Sequence, residues 1–128
     1  MNKRIERMVA VNKVINEIAS RGRKFFYTEG KGKSYFFFDG NKRQRLWFWD
    51  NYVGKVNPYP SNLHGDNKIS EGGTLWALIH DFREFIITGN HSNGNNGYGG
   101  LFCPHWGYPD EDMNAIRQVG EDVGFLKR

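Results

Sequence analysis

Apolar residues recur at intervals of three and four over the first twenty positions of the chain. They are Ile5, Met8, Val11, Val14, Ile15 and Ile18. The opposite side of this helical projection is polar and includes Asn12, Lys13, Asn16 and Glu17. The spacing therefore predicts an amphipathic helix over residues 4–20. Arg21 and Gly22 are suited to end it, since a cation complements the negative helix terminus and glycine accepts a left-handed conformation.

The next segment changes to short aromatic runs bounded by Gly, Asp and Asn. The runs are Lys24–Thr28, Ser34–Asp39 and Leu46–Asp50. Such runs are typical of strands joined in a meander, and Asp39-Gly40 is typical of a tight turn. We expect a short fourth strand, Lys55–Tyr59, at an edge of the sheet, because Pro58 and Pro60 lack the amide hydrogen that pairing needs.

The remaining chain predicts two helices separated by a loop. Thr74–Thr88 carries an apolar stripe and precedes Gly89, and Pro109 is followed by three acidic residues that favour a helix N-terminus. Residues 89–100 read GNHSNGNNGYGG and predict a mobile loop. The expected architecture is α+β: an N-terminal helix, a three- or four-stranded antiparallel meander, and two C-terminal helices packed on the sheet. Residues 1–128 are expected to form a single domain.

Composition narrows the class of protein. The chain is 38% apolar, 25% charged and 16% aromatic, which excludes disordered, collagen-like and coiled-coil proteins. No apolar run approaches the roughly 18 residues of a membrane span, and no signal peptide is evident at the N-terminus. Cys103 is the only cysteine, so an internal disulfide is excluded. We therefore expect a protein of the reducing cytoplasm, without a membrane partner.

The aromatic residues exceed what one small core needs. Neighbouring side chains of a strand point to opposite faces, so alternation divides these residues into two sets that cannot all share a face. The first set is Phe25, Tyr27, Phe36, Phe38, Trp47 and Trp49, and the second is Phe26, Tyr35, Phe37, Leu46 and Phe48. Three coverings are open for the second face of the sheet: the long loop with the C-terminal helix, a second copy of the chain, or a ligand.

Charge is concentrated in the same part of the chain. Residues 1–68 hold 14 Lys/Arg and 6 Asp/Glu, a net +8, whereas residues 69–128 hold 4 and 8, a net −4. A basic surface beside aromatic strands favours nucleic acid, which stacks its bases on rings and pairs its phosphates with cations. The expected cations are Arg23, Lys31, Lys33, Lys42, Arg43 and Arg45. The expected aromatic contacts are Tyr27, Tyr35, Trp47 and Trp49.

Two other kinds of site are weighed against this interpretation. A small molecule resembling a nucleotide would use Gly72, Gly73 and Thr74, where the backbone N–H groups that open a helix can hold an anion, although ordinary capping explains the same residues. A metal-dependent hydrolase would use His91, Cys103 and His105, together with His80. Because paired-ligand spacing and nucleophile motifs are both missing, we expect no metal, no cofactor and no catalytic residues, and prefer a non-enzymatic binding protein.

The whole chain resembles the small accessory proteins that bacteriophages encode to act on the host cell. The segments that carry the resemblance are KSYFFFD, RLWFWDN and HWGYPDEDMNAIRQVGEDVGFL, in a chain without an enzymatic signature. Proteins of this kind commonly inhibit host enzymes or antiviral defence by binding. The resemblance therefore implies a partner in the host cytoplasm, either nucleic acid or a host defence complex that holds nucleic acid.

Overall fold

The computed structural model describes residues 3–40, 45–52, 54–56, 73–92, 100–104 and 106–127. The helices are α1 (Lys3–Ala19), α2 (Gly73–Thr88) and α3 (Asp110–Asp122), with a 3-10 turn at Gly100–Phe102. The strands are β1 (Tyr27–Thr28), β2 (Gly32–Lys33), β3 (Tyr35–Phe38), β4 (Leu46–Asp50) and β5 (Gly54–Val56). The predicted α+β architecture, with its N-terminal helix, antiparallel strands and two C-terminal helices, is confirmed.

The strands form two antiparallel sheets. β1 and β2, each two residues long, form a hairpin. β3, β4 and β5 form a three-stranded meander in that order. In the meander Tyr35 is opposite Trp49, and Phe36 is opposite Phe48. Asp39 closes the connection between β3 and β4 by donating its backbone N–H to the carbonyl of Arg45 at 3.0 Å. The Asp39-Gly40 pair, which is typical of a tight turn, lies at the start of this connection.

The first predicted strand is mostly a pair of turns. Lys24 and Phe26 have φ of 59° and 67°, in the left-handed region that bulky residues rarely adopt. Tyr108 explains the departure, since its hydroxyl accepts from Phe25 N at 2.9 Å and donates to Ile18 O at 3.1 Å. Gly22 lies directly beneath the Tyr108 ring, where a Cβ would approach ring carbons to 2.5 Å. Only the last two residues of the aromatic run therefore enter a strand.

Helix α1 is the centre of the hydrophobic core. Val11, Val14, Ile15 and Ile18 are fully buried, and α1 packs against α2, α3 and β3. The inner face of the meander contributes Phe36 and Phe48, whose rings lie 4.9 Å apart. Phe82 of α2 meets Phe36 edge to face, with centroids separated by 6.4 Å. The inner face of the meander is thus covered by helices.

Polar side chains connect the elements across this core. Asn12 of α1 donates to Phe36 O at 3.0 Å and accepts from Phe36 N at 2.8 Å. Arg7 donates to Ile86 O at 2.9 Å near the end of α2. Arg21 pairs with Glu17 and with Asp112 of α3, and these carboxylates raise its pKa. Both Asn12 and Arg21 therefore join elements far apart in sequence.

Parts of two predicted elements lie outside the described residues. The loop predicted at 89–100 is described only at its ends, where Ser92 N donates to Phe125 O and Lys127 N donates to Ser92 O. The predicted strand Lys55–Tyr59 is observed as β5 up to Val56. No helix in the described ranges has the length and apolar character to cross a membrane.

Candidate functional site

The outer face of the meander, turned away from α1 and α2, collects aromatic and basic residues. Lys33 and Tyr35 are exposed, while Ser34 and Phe36 between and after them are buried. The antiparallel register places the odd-numbered residues of β3 and β4 on the same side of the sheet. We call the resulting surface the outer face: Lys33, Tyr35, Phe37, Arg45, Trp47, Trp49 and Lys55. It combines four aromatic rings with three cations.

The four outer aromatic rings do not belong to the core. The buried cluster and the partly buried residues packed on it include Phe36, Phe38 and Phe48, but none of the four outer rings. Tyr35 is 44% exposed, while Phe37, Trp47 and Trp49 are half-buried. Tyr35 and Phe37 have ring centroids 5.7 Å apart. The rings therefore form a second aromatic layer on the far side of the sheet.

A hydrogen bond holds the indole ring of Trp47 on the outer face. Its indole Nε1 donates to Asp39 Oδ2 at 2.9 Å, while Asp39 Oδ1 accepts from Arg45 N at 3.1 Å. The Lys55 ammonium lies 4.5 Å from the Trp47 ring centroid and 5.7 Å from that of Phe37. The Arg45 guanidinium lies 5.8 Å from the Trp47 ring. Two cations therefore lie within cation–π distance of a ring held by a hydrogen bond.

The cations of this region are available to an anionic partner. Lys31, Lys33, Arg45 and Lys55 are all exposed, and none of them forms an ion pair with another residue within the described ranges. Lys31 lies in the turn of the β1–β2 hairpin, and Lys33 pairs in register with Tyr27. The charge that the sequence concentrates in its first half is thus partly displayed along the hairpin and the outer face.

A buried polar network joins the hairpin to the meander. Ser34 and Asn51 are 1% and 3% exposed. Ser34 Oγ donates to Asn51 Oδ1 at 2.6 Å and accepts from Asn51 N at 3.0 Å. Asn51 Nδ2 donates to Thr28 Oγ1 on β1, and Ser34 N donates to Phe26 O at 2.8 Å. These bonds hold β1 and β2 in one orientation relative to β3 and β4.

Comparison with known proteins places the chain in a family. The YoqU family model matches residues 1–128, the entire length. The chain belongs to the YoqU family. It is 34% identical over 125 residues to the SPbeta prophage-derived uncharacterized protein YoqU of Bacillus subtilis (strain 168). The aligned segment covers 96% of this chain and 85% of that relative. No solved structure is significantly similar to it. The predicted resemblance to phage-encoded proteins is confirmed as membership of a phage-derived family.

In this YoqU-family chain the structure brings together half of the residues predicted for nucleic acid. Lys33, Tyr35, Arg45, Trp47 and Trp49 belong to the outer face. Lys31 is on the adjoining hairpin, and Tyr27 is half-buried against the core with Lys24 Nζ 5.6 Å from its ring. Arg23 lies in the turns that follow α1, over Phe25 and against Gly107. Lys42 and Arg43 lie outside the described residues.

Sequence reasoning missed two members of the outer face, Phe37 and Lys55. It assigned Phe36 with Trp47 and Trp49, whereas the register places Phe36 inside and Tyr35 and Phe37 with the two tryptophans. Alternation shows which residues of one strand share a face. It does not show which face of the next strand lies on the same side of the sheet, because that depends on how the two strands pair. Lys55 was detectable only once its position opposite Trp49 was known.

Of the residues predicted for the two other sites, the structure describes Gly73, Thr74, His80, His91 and Cys103, and none of them belongs to the outer face. Gly73 is the first residue of α2, followed by Thr74, and Gly72 lies outside the described residues. His91 donates through Nδ1 to Gly124 O and lines an open cleft of about 550 Å³ with Glu121, Asp122 and Lys127. Within the described ranges, which include Cys103 but omit His105, no three His, Cys, Asp or Glu residues are grouped to hold a metal ion.

Proposed function

We propose that the protein is a non-enzymatic binding protein that engages nucleic acid through the outer face. The observation that carries the proposal is the register of β3, β4 and β5, which gathers Tyr35, Phe37, Trp47 and Trp49 on one side with Lys55. Rings on one surface offer stacking to bases, and adjacent cations offer contacts to phosphates. Both interactions suit a polyanion that carries flat bases.

The two contributions have different physical signatures. Stacking of a base on an aromatic side chain contributes about 1 to 3 kcal/mol and depends little on sequence. Each phosphate neutralised by a cation makes the logarithm of the affinity fall by about 0.7 to 0.9 per logarithm of salt concentration. Binding through the outer face should therefore weaken steeply with salt, yet retain a portion that salt does not remove.

Membership of a phage-derived family supports a setting in the host cell, and the outer face is what favours nucleic acid as the partner there. The same contacts would serve on free nucleic acid and on nucleic acid held inside a host defence complex, where occupying it would inhibit that complex. This is the setting in which we place the protein, in the cytoplasm of the host. The chemistry demanded of the outer face is the same in both cases.

A salt titration tests the proposal. Fluorescently labelled DNA and RNA oligonucleotides are titrated with the full chain at several salt concentrations, and the slope of affinity against salt is compared with those of Arg45→Ala and Lys55→Ala. We expect each substitution to reduce the slope by about 0.7 to 0.9. Lys13→Ala, which removes an exposed lysine from α1, is the matched control and should leave it unchanged.

Two outcomes would overturn the proposal. One is the absence of binding to any oligonucleotide at low salt. The other is binding that Lys13→Ala weakens as much as Arg45→Ala and Lys55→Ala do, because the attraction would then come from overall charge. The triple change of Lys42, Arg43 and Arg45 to Ala extends the test to the cations that adjoin Arg45 in sequence.

A further inference from the structure

The spacing of the four outer rings bears on which form of nucleic acid they accept. Residues two apart on a strand are separated by about 6.7 Å, and neighbouring strands by about 4.8 Å. Trp47 and Trp49 have the first relationship, and Tyr35 and Trp49 have the second. Successive bases in one strand of a duplex are about 3.4 Å apart along the helix axis, which is about half of the first spacing. Two bases on two of these rings must therefore be unstacked from each other.

From this geometry we infer that the outer face binds single-stranded rather than double-stranded nucleic acid. This inference rests on the proposed function and specifies its ligand. In a duplex both faces of each base are covered by its neighbours, so a ring can stack only on a terminal pair. The four rings themselves lie on a short three-stranded sheet, and none of them belongs to a helix that could enter a groove.

The hairpin extends the surface at the β3 end of the outer face. Lys33 adjoins Tyr35 across the buried Ser34, and Lys31 lies in the hairpin turn beyond it. A strand whose bases stack on the rings can carry its phosphates toward these two lysines. The rings thus contact the bases, and the hairpin contacts the backbone at one end.

Thr28, Ser34 and Asn51 are positioning residues in this arrangement. Their bonds join β1 to the turn between β4 and β5, so they set where the hairpin lysines stand relative to Trp49. Thr28 offers the most conservative change, since Thr28→Val keeps the branched shape and removes only the oxygen that accepts from Asn51 Nδ2. Thr28→Ser restores that oxygen.

Competition between single and double strands tests the ligand. The probes are an oligothymidine and an oligouridine about 12 nucleotides long and a DNA duplex of equal length, at equal salt. We expect the single strands to bind at least about tenfold more tightly and to quench tryptophan fluorescence. Trp49→Ala should weaken single-strand binding by about 5- to 150-fold. Phe102→Ala, which removes a 55% exposed ring from elsewhere, should not weaken it.

The result separates the inference from the proposed function. Equal or tighter binding of the duplex overturns the single-strand inference and leaves nucleic-acid binding in place. Failure of every probe to bind overturns both. For the positioning residues, Thr28→Val should lower the salt slope by up to about 1.4 while tryptophan quenching at saturation is retained, and Thr28→Ser should restore the slope. An unchanged slope in a folded Thr28→Val variant overturns the positioning role.

Discussion

Asn12 gives Phe36 the two hydrogen bonds that a neighbouring strand would give. Its amide nitrogen donates to Phe36 O at 3.0 Å and its amide oxygen accepts from Phe36 N at 2.8 Å. Phe36 belongs to β3, the first strand of the meander, whose other side pairs with β4. A helix side chain thus satisfies backbone groups at a sheet edge, where unpaired groups invite association between chains.

Replacing Asn12 by Ala should destabilise the protein by about 1 to 3 kcal/mol, because Phe36 loses partners for both backbone groups. Asn16→Ala is the matched control, since it makes the same change at an exposed position of the same helix and gains the same helix propensity. Chemical denaturation measures both free energies of unfolding. Equal values for the two variants would contradict the role given to Asn12.

Gly22→Ala should cost more than Gly30→Ala. Both glycines have positive φ, 47° and 86°, so both substitutions carry a backbone penalty. Only the Cβ at residue 22 meets Tyr108, at 2.5 to 2.7 Å from its ring carbons, whereas nothing lies within 4 Å of a Cβ at residue 30. We expect the difference in the free energy of unfolding to be about 1 to 3 kcal/mol. Identical melting temperatures would show that Tyr108 moves freely.

Stability should fall in mild acid through His80. Burial, with a smaller contribution from Arg83, lowers the pKa of His80 below its usual value of 6.5, and Glu84 opposes the shift. The folded state therefore favours neutral His80. Its contribution to stability is fully present above about pH 6.5 and is lost as the pH falls through the lowered pKa.

His80→Phe checks this prediction. The variant keeps a ring beside Trp76, whose centroid lies 4.4 Å from that of His80. Denaturation between about pH 5 and 8 should show a shallower loss of stability in His80→Phe than in the parent. Stability at neutral pH should be equal or higher, because His80 Nε2 is buried without a hydrogen-bond partner in the described part of the chain. A variant with the parental pH profile would refute the assignment.

Lys55 should be energetically coupled to Trp47. The ammonium lies 4.5 Å from the ring centroid, and such a pair contributes about 0.5 to 1 kcal/mol at an exposed site. A double-mutant cycle with Lys55→Met and Trp47→Leu measures the coupling, and Lys13→Met with Trp47→Leu is the matched cycle for a lysine on α1. Coupling near zero in the first cycle, or equal coupling in both, would exclude the contact.

The sequence pattern predicts the helices closely because helical periodicity is a local property. The predicted bounds of 4–20 and Thr74–Thr88 differ by one residue from those observed. The turns at Lys24 and Phe26 are not local in origin. They depend on the hydroxyl of Tyr108, which is 83 positions from Phe25 and 90 from Ile18. Aromatic composition there favours a strand, and only the tertiary contact overrides it.

The sequence predicts an aromatic and basic surface and most of its residues, but not Phe37 and Lys55. Strand alternation requires aromatic residues on both sides of a sheet, and the charge asymmetry places cations near them. Which residues share a side depends on the pairing of β3 with β4 and β5. Asn12 illustrates the same limit within a helix, since it occupies the polar side of the projection and yet meets the backbone of β3. Polarity does not by itself mean exposure.

The central place of α1 determines when this chain can fold during synthesis. The helix leaves the ribosome before α3, yet it packs against α3, and Arg21 reaches Asp112 across 91 positions. At about 5 to 20 residues per second, α1 waits on the order of 5 to 20 seconds for that partner. The part of α1 that α3 covers stays exposed for that interval, whereas β3 and α2 are made earlier. The nascent chain should therefore complete its core only after α3 has been made.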